Sequence, residues 1–423
     1  MNKTLQVPNG WKSSKIKDAA QVNPRSYFVD DDTLVTFLPM NAVSESGIIH
    51  GAETRKAVDV KTGFTSFETG DVLVAKITPC FENYKGCLCT ELKNNRGFGS
   101  TEFHVLRPKK NITGEYLHIL TRTHHFRGTG ELNMTGTAGQ KRVPTIFLKN
   151  YDFQLPTLPE QKAIGDLLST WDEAIEKTER LIQAKERQLR QMSRWLLFGH
   201  KRLGNQKTES ADGHFFKYPS DWALVKIGKV AKEVSARNGE SEETVLSCSK
   251  YDGFVNSLDY FGKQVFSSDT SNYKVVKKGQ FGYPSNHVEE GSIGLLEHCE
   301  KGIVSPIYVV FEASREKVHS PYLYKLLKTD IYRHIFQVST SSSVDRRGSL
   351  RWGDFSKIKV LIPSLEEQQE ISETLASARH EIDLLKQLAD KYKTQKRGLM
   401  QRLLTGDWRI KFDVIKTFEE TDK

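Results

Sequence analysis

Apolar residues recur in alternating steps of four and three along two stretches of this 423-residue chain. The first stripe runs Ile164, Leu168, Trp171, Ile175, Thr178, Ile182, Lys185, Leu189, Met192, Leu196. The second runs Ile371, Leu375, Ala378, Ile382, Leu385, Ala389, Tyr392, Lys396, Leu399, Leu403. Only Thr178, Lys185 and Lys396 interrupt the pattern. A 3.5-residue period held this long predicts two long helices with a coiled-coil seam. About 40 residues at 1.5 Å each give a rod of roughly 60 Å. Each stripe follows a helix-start signal: Thr157 and Ser364 stand three residues before Glu160 and Glu367. That spacing predicts a capping box, in which the hydroxyl accepts an orphan N–H and the carboxylate reaches back to the cap. Pro159 fits the first turn, where its missing donor costs nothing. Gly199 and Gly406 close the stripes, where a left-handed residue is wanted.

The two stripes are copies. Leu155-Pro156-Thr157-Leu158-Pro159-Glu160-Gln161 reappears as Ile362-Pro363-Ser364-Leu365-Glu366-Glu367-Gln368, an offset of 207 residues that continues without a gap to Leu203/Ile410. Shared positions include Ile164/Ile371, Leu181/Leu388, Gln188/Gln395, Leu197/Leu404 and Arg202/Arg409. A repeat at half the chain length implies two similar units in tandem, so that one chain imitates a two-fold dimer. The equal helices suit each other as antiparallel partners.

The regions before the stripes alternate with the shorter period of strands and share an order of elements. Trp11-Lys12-Ser13-Ser14-Lys15-Ile16 matches Trp222-Ala223-Leu224-Val225-Lys226-Ile227. A turn glycine and a strand follow at Gly70-Asp71-Val72-Leu73-Val74 and Gly279-Gln280-Phe281-Gly282-Tyr283. Strands are predicted near 86–90, 102–106, 292–296 and 307–311, short helices near 114–123 and 321–328, and last strands at 151–155 and 357–362. Polar loops lie at 135–142 and 339–347. The expected class is α+β: two tandem α+β heads joined to two long antiparallel helices, with a pseudo-two-fold repeat. The expected boundaries are head 1 at 1–155, helix at 156–203, linker at 204–212, head 2 at 213–362, helix at 363–412 and a tail at 413–423.

Charge narrows the function. The formal net charge is +9, and the excess gathers at 185–202, at 391–402 and at Arg346, Arg347 and Arg351. A basic balance favours a polyanionic partner. Five cysteines, with no second pair at zinc spacing, read as reduced thiols in a cytoplasmic protein. No N-terminal apolar run suggests a signal peptide, and no apolar stretch reaches membrane-span length. There is no Gly-x-x-x-x-Gly-Lys phosphate loop and no Gly-x-Gly-x-x-Gly after a strand. Asp71 with Glu91 and Lys93 loosely resembles a metal-nuclease pattern, but the second copy carries Gln280 at that place. The chain is therefore expected to be non-catalytic, without a metal of its own.

Leu-Pro-x-Leu-x-Glu-Gln ahead of a long heptad helix, twice, after two diverged heads, resembles the specificity subunits of type I restriction–modification systems. The resemblance covers essentially the whole chain. It implies that each head is a target recognition domain reading one half of an asymmetric, bipartite site in double-stranded DNA. It implies helices that set the spacer and dock two methyltransferase subunits, with motor/nuclease subunits joining the restriction complex. S-adenosylmethionine, ATP and Mg2+ would then sit on those partner subunits. Loop placement nominates DNA contacts in head 1 at Lys76, Thr78, Asn83, Tyr84, Lys85, Gln140, Lys141 and Arg142. In head 2 it nominates Asn286, His287, Ser341, Ser342, Arg346, Arg347 and Arg351. Planar and cationic side chains are the types that read base edges and hold phosphates. Trp171, Trp195, Leu196 and Leu403 are nominated for partner contact, the alternative being a place in the chain's own core. Other readings of the same features are a coiled-coil scaffold tethering two protein-binding heads, and a specificity partner in another methyltransferase-based defence system.

Overall fold

The computed structural model describes residues 7–26, 28–137, 139–203, 210–212, 217–341, 349–411 and 413–416. The chain forms two compact units, Met1–Glu179 with Gln387–Lys423, and Arg180–Lys386. Both long helices are present, at Leu158–Leu197 and Leu365–Thr405. Each contributes one part to each unit.

In the first unit the expected turn and strand seed a four-stranded antiparallel sheet in the order Ala20–Val22, Phe103–Pro108, Val72–Ala75, Gly86–Leu88. All four residues of Val72–Ala75 are buried. Alternation sends Val72 and Val74 into one core cluster and Leu73 and Ala75 into another, so both faces of this strand are covered. A second sheet, unforeseen from the sequence, runs Glu53–Lys56, Leu34–Leu38, Arg96–Gly99, Thr65–Glu68 and contains one parallel pairing. Lys12–Lys15 pairs with Asp152–Leu155, which feeds the first long helix.

The second unit repeats the first sheet as Ala231–Val234, Tyr308–Ala313, Phe281–Pro284, Gly294–Leu295. Ala223–Lys226 pairs with Lys359–Ile362 ahead of the second long helix. Two antiparallel pairs, Leu246–Ser249 with Gly253–Asn256 and Lys274–Lys277 with Lys301–Val304, stand where the first unit has its second sheet. Gly70 (φ +92°) and Gly279 (φ +83°) occupy the same left-handed turn before the central strand. The short helices appear at Gly114–Thr121 and Ser320–Leu327. Each is followed by another helix that the sequence had not revealed, His124–Leu132 and Asp330–Ser341.

The helix seam is as expected: none of its positions is exposed, although several stay half-buried. Within the first unit Trp171 meets Tyr392 edge-on at 5.8 Å, and Lys393 pairs with Glu179 at 2.6 Å. The polar seam residue Lys396 is held by Asp172. Within the second unit Lys386 pairs with Glu186 at 2.7 Å, and the seam Lys185 with Glu381 at 2.8 Å. The partners fall in opposite chain order, which is the antiparallel arrangement. The closing glycines are left-handed, Gly199 at φ +69° and Gly406 at +75°.

Candidate nucleic-acid interface

The Glu of the repeated helix start does not act as the capping box predicts. Ser364 Oγ accepts the Glu367 N–H at 3.2 Å, which is half of the box. The carboxylates reach elsewhere. In the first unit Glu160 accepts from the Trp11 indole N–H at 2.8 Å and from Arg409 at 2.6 and 2.8 Å. In the second, Glu367 accepts from the Trp222 indole at 3.1 Å and from Arg202 at 2.8 and 2.6 Å. A buried carboxylate with a bidentate Arg and an indole donor is satisfied at both oxygens, so the long-range bonds replace the local one. The neighbouring glutamine acts alike in both copies. Gln161 accepts from Thr113 N–H and donates to the Asn111 and Pro156 carbonyls. Gln368 accepts from His319 N–H and donates to the Lys317 and Pro363 carbonyls. The motif thus clamps the head's first Trp and its short helix onto the long helix.

On this joint the heads carry their polar loops. In head 1 the strand Val72–Ala75 runs into residues 76–85, and the polar loop 135–142 lies beside them. Val143 N–H donates to the Lys76 carbonyl at 2.8 Å, Thr78 N–H donates to the Lys141 carbonyl at 2.9 Å, and Ile77 bridges Arg142. The structure therefore brings Lys76, Thr78, Gln140, Lys141 and Arg142 together. Asn83, Gln140 and Lys141 are exposed; Lys76, Thr78, Tyr84, Lys85 and Arg142 are half-buried. Several already have protein partners. The Arg142 guanidinium forks onto Glu102 at 2.8–3.2 Å and holds that carboxyl below its ordinary value. Tyr84 hydroxyl lies 2.6 Å from His124 Nδ1, and Thr78 hydroxyl donates to Glu82. Lys85 Nζ reaches the Met40 carbonyl at 3.4 Å. Asn83, Gln140 and Lys141 are the nominated side chains most open to a ligand.

Head 2 builds the same corner from different residues. Leu350 N–H donates to the Ser285 carbonyl at 2.8 Å, the counterpart of Val143 to Lys76. This places Asn286 and His287 beside Arg351, which is exposed and starts the short helix Trp352–Phe355. His287 Nδ1 lies 3.3 Å from Glu290. Ser342, Arg346 and Arg347 lie outside the described residues, and of Ser341 only the backbone, at the end of its helix, is described.

Of the four residues nominated for a partner, two are buried in their own units. Leu196 (4% exposed) packs with Trp222 and Tyr322, and Leu403 (3%) with Trp11 and Tyr116. Trp171 is half-buried against Tyr392. Trp195 is half-buried, with Lys201 Nζ 4.4 Å from its ring centre. Asp71 and Glu91 do not make a metal site either: Asp71 is buried, with both oxygens engaged by Arg107 and one also taking the Glu68 N–H. The fastening residues were the missed ones. The signal was available, since Trp11/Trp222, Glu160/Glu367 and Arg202/Arg409 each recur.

A family model, the type I restriction modification DNA specificity domain, matches residues 8–186 and 219–393. The chain belongs to that family. The specificity subunit of the type I restriction enzyme EcoAI of Escherichia coli is 42% identical over 164 residues, 38% of this chain and 28% of the relative. That of EcoEI, also from Escherichia coli, is 39% identical over the same shares. The match thus spans under a third of the length of those two relatives. The MjaVIII specificity subunit of Methanocaldococcus jannaschii is 26% identical over 294 residues, 66% of this chain and 67% of the relative. In fold, the HsdS subunit of Thermoanaerobacter tengcongensis superposes with a TM-score of 0.54 at 18% identity, covering 96% of this chain and all of that one. A chain from work on assembly and conformational transition of the type I R-M system gives 0.60 at 17% identity, covering 95% and 100%. Among the described residues no helix is long and apolar enough to cross a membrane.

Proposed function

We propose that this chain is the DNA-reading subunit of a type I restriction–modification complex. Each head reads one half of an asymmetric bipartite site through the corner where its two polar loops meet. The long helices set the spacer and offer exposed faces to two methyltransferase subunits; motor/nuclease subunits join to complete the restriction complex. The chemistry belongs to those partners, which would carry S-adenosylmethionine, ATP and Mg2+, and this chain is non-catalytic. It works in the cytoplasm, where its DNA lies.

One observation carries the reading: the same Trp–Glu–Arg joint recurs beneath loop corners of unlike sequence. Identical fastenings under different loops are what two readers of different half-sites need. Base readout calls for changeable donors and acceptors at a fixed position. Co-expression with its methyltransferase subunits followed by methylation sequencing tests this. A two-part asymmetric motif with a fixed gap is expected. A soluble complex that methylates no motif, or a single uninterrupted one, overturns it. Exchanging the first head should then change one half-site only.

A further inference from the structure

The second unit contains a cleft of about 1050 Å³ between its portions of both long helices and the short helices of head 2. Six cations line it: Arg187, Arg190 and Arg194 from the first long helix, Arg379 from the second, and Lys325 and Lys328 from the head. The lining acids are Asp330 and Asp383, with Asp330 paired to Arg333; from just outside, Glu186 acts on Arg190 and Arg379, Glu297 on Lys325 and Asp252 on Lys328. The four arginines are exposed, and none has an ion-pair partner among the described residues. Arg187, Arg190 and Arg194 stand at i, i+3 and i+7, one helical face spanning roughly 10 Å. Tyr251, Tyr324 and Trp195 supply aromatic walls. Burial lowers the pKa of Lys325 and of Lys328, so a nearby anion would favour their charged forms.

The first unit lacks this chemistry at the corresponding places. By the 207-residue repeat, Arg187, Arg190 and Arg194 become Thr394, Arg397 and Gln401, while Arg379 becomes Asp172. The matching glutamine clamps align Thr113 with His319, so Lys325 and Lys328 correspond to Ile119 and Arg122. Of the six positions two keep a cation and one turns acidic; the lining Leu189 becomes Lys396, but Asp172 holds it. A protein partner that docks on both units alike would not need such a difference. The cleft is also continuous with the head 2 corner. Lys328 Nζ donates to the carbonyls of Lys250 and Gly291, and Gly291 ends the turn that starts at His287.

From this we infer that the cleft is a sequence-independent phosphate site, holding the sugar-phosphate backbone of duplex DNA that leaves the head 2 corner. The inference rests on the DNA-reading function. Three cations across roughly 10 Å match about three phosphates of one strand at 3.4 Å of axial rise each.

The test measures affinity of the full chain for a mixed-sequence duplex across a salt series. Arg187→Gln with Arg190→Gln and Arg194→Gln should flatten the slope of log K against log salt by roughly 2 to 3, near 0.9 per lost contact. Methylation by the complex should keep its motif. Neutralising exposed Lys226, Lys229 and Lys232 in the same unit serves as the charge control and should leave the slope near wild type. Equal flattening by both triple variants, or none from the arginine triple, overturns the inference. So does a triple that binds DNA like wild type yet no longer binds polyglutamate, which would make the cleft a seat for an acidic protein. Should the triple fail to fold, Arg190→Gln alone, with an expected change near 0.9, decides it. A wild-type chain without salt-dependent DNA affinity would instead remove the DNA-reading function itself.

Discussion

The two units share their fastening and differ in what they fasten. Both close on a Trp indole, a buried Glu and an Arg fork, yet the interiors beneath the loops diverge. Asp71 of head 1 is buried and paired with Arg107 at 2.8 and 2.9 Å. At the same strand positions head 2 has Gln280 facing Glu312 at 3.3 Å, with Gln280 taking the Lys277 N–H as Asp71 takes that of Glu68. The turn is preserved while the charge pattern is rewritten. The joint thus uses the same residue types in both units, whereas the head interiors reach different packing solutions.

The joint itself is the place to break the comparison. Arg202 is nearly sealed, its side chain 6% exposed, whereas Arg409 is 39% exposed. Glu367→Ala strands a buried guanidinium that keeps only Asp221 and should cost about 3–5 kcal/mol, as breaking buried pairs does. Glu160→Ala leaves an Arg that can turn to water, with a loss nearer 2 kcal/mol. Amide hydrogen exchange should show each unit loosening by itself, the second more. Equal losses would mean the burial difference does not matter.

Swapping the buried charge pattern is the next test. Asp71→Asn and Gln280→Glu should each cost about 1–3 kcal/mol, the first by leaving Arg107 short of a carboxylate, the second by setting two carboxylates together. Chemical denaturation reads both. A stable Gln280→Glu would show that head 2 can adopt the head 1 pattern after all. The closing glycines sharpen the likeness instead. A Cβ on Gly199 would stand 2.3 Å from Pro219, and one on Gly406 2.2 Å from Pro8. Alanine at either, in a left-handed backbone, should cost at least about 1–2 kcal/mol, and similarly in the two units.

The smallest effect is one of pH. His104 of head 1 is buried, with Nε2 2.8 Å from the Val143 carbonyl, and burial lowers its pKa. Head 2 has Val309 at that place, opposite Tyr283 as His104 is opposite Val74. The unfolded His takes up its proton near pH 6.5, before the folded one does. Stability from this site is therefore complete above that pH and falls as pH drops from about 6.5 towards the folded value. His104→Val should lessen the loss of head 1 stability between pH 7 and pH 5.5. Identical pH profiles for variant and wild type would refute the assignment.

The long helices were legible because their apolar period is local and long. The order of elements in the heads was legible from the turn glycines and from alternation. The role of Glu160 and Glu367 was not, because a capping box and a long-range indole acceptor ask for the same residue, and Trp11 is distant in sequence. The second sheet of head 1 escaped because its edge strand Glu53–Lys56 is largely exposed and polar. The loop corner was legible as two loops but not as one place, since the contact of Thr78 with Lys141 depends on tertiary closure. Which side chains there remain open, rather than spent on Glu102 or His124, only the fold decides.

The Arg fork of the first unit has a consequence for synthesis. Its core takes in Leu399, Met400, Leu403 and Leu404, and its Glu160 waits for Arg409, all translated after the whole second head. Head 1 therefore cannot close this joint until the second head and the second long helix have been made. Head 2 finds its own Arg202 already made. A stop codon shortly before Arg409 should therefore loosen the first head, although it is the one built first.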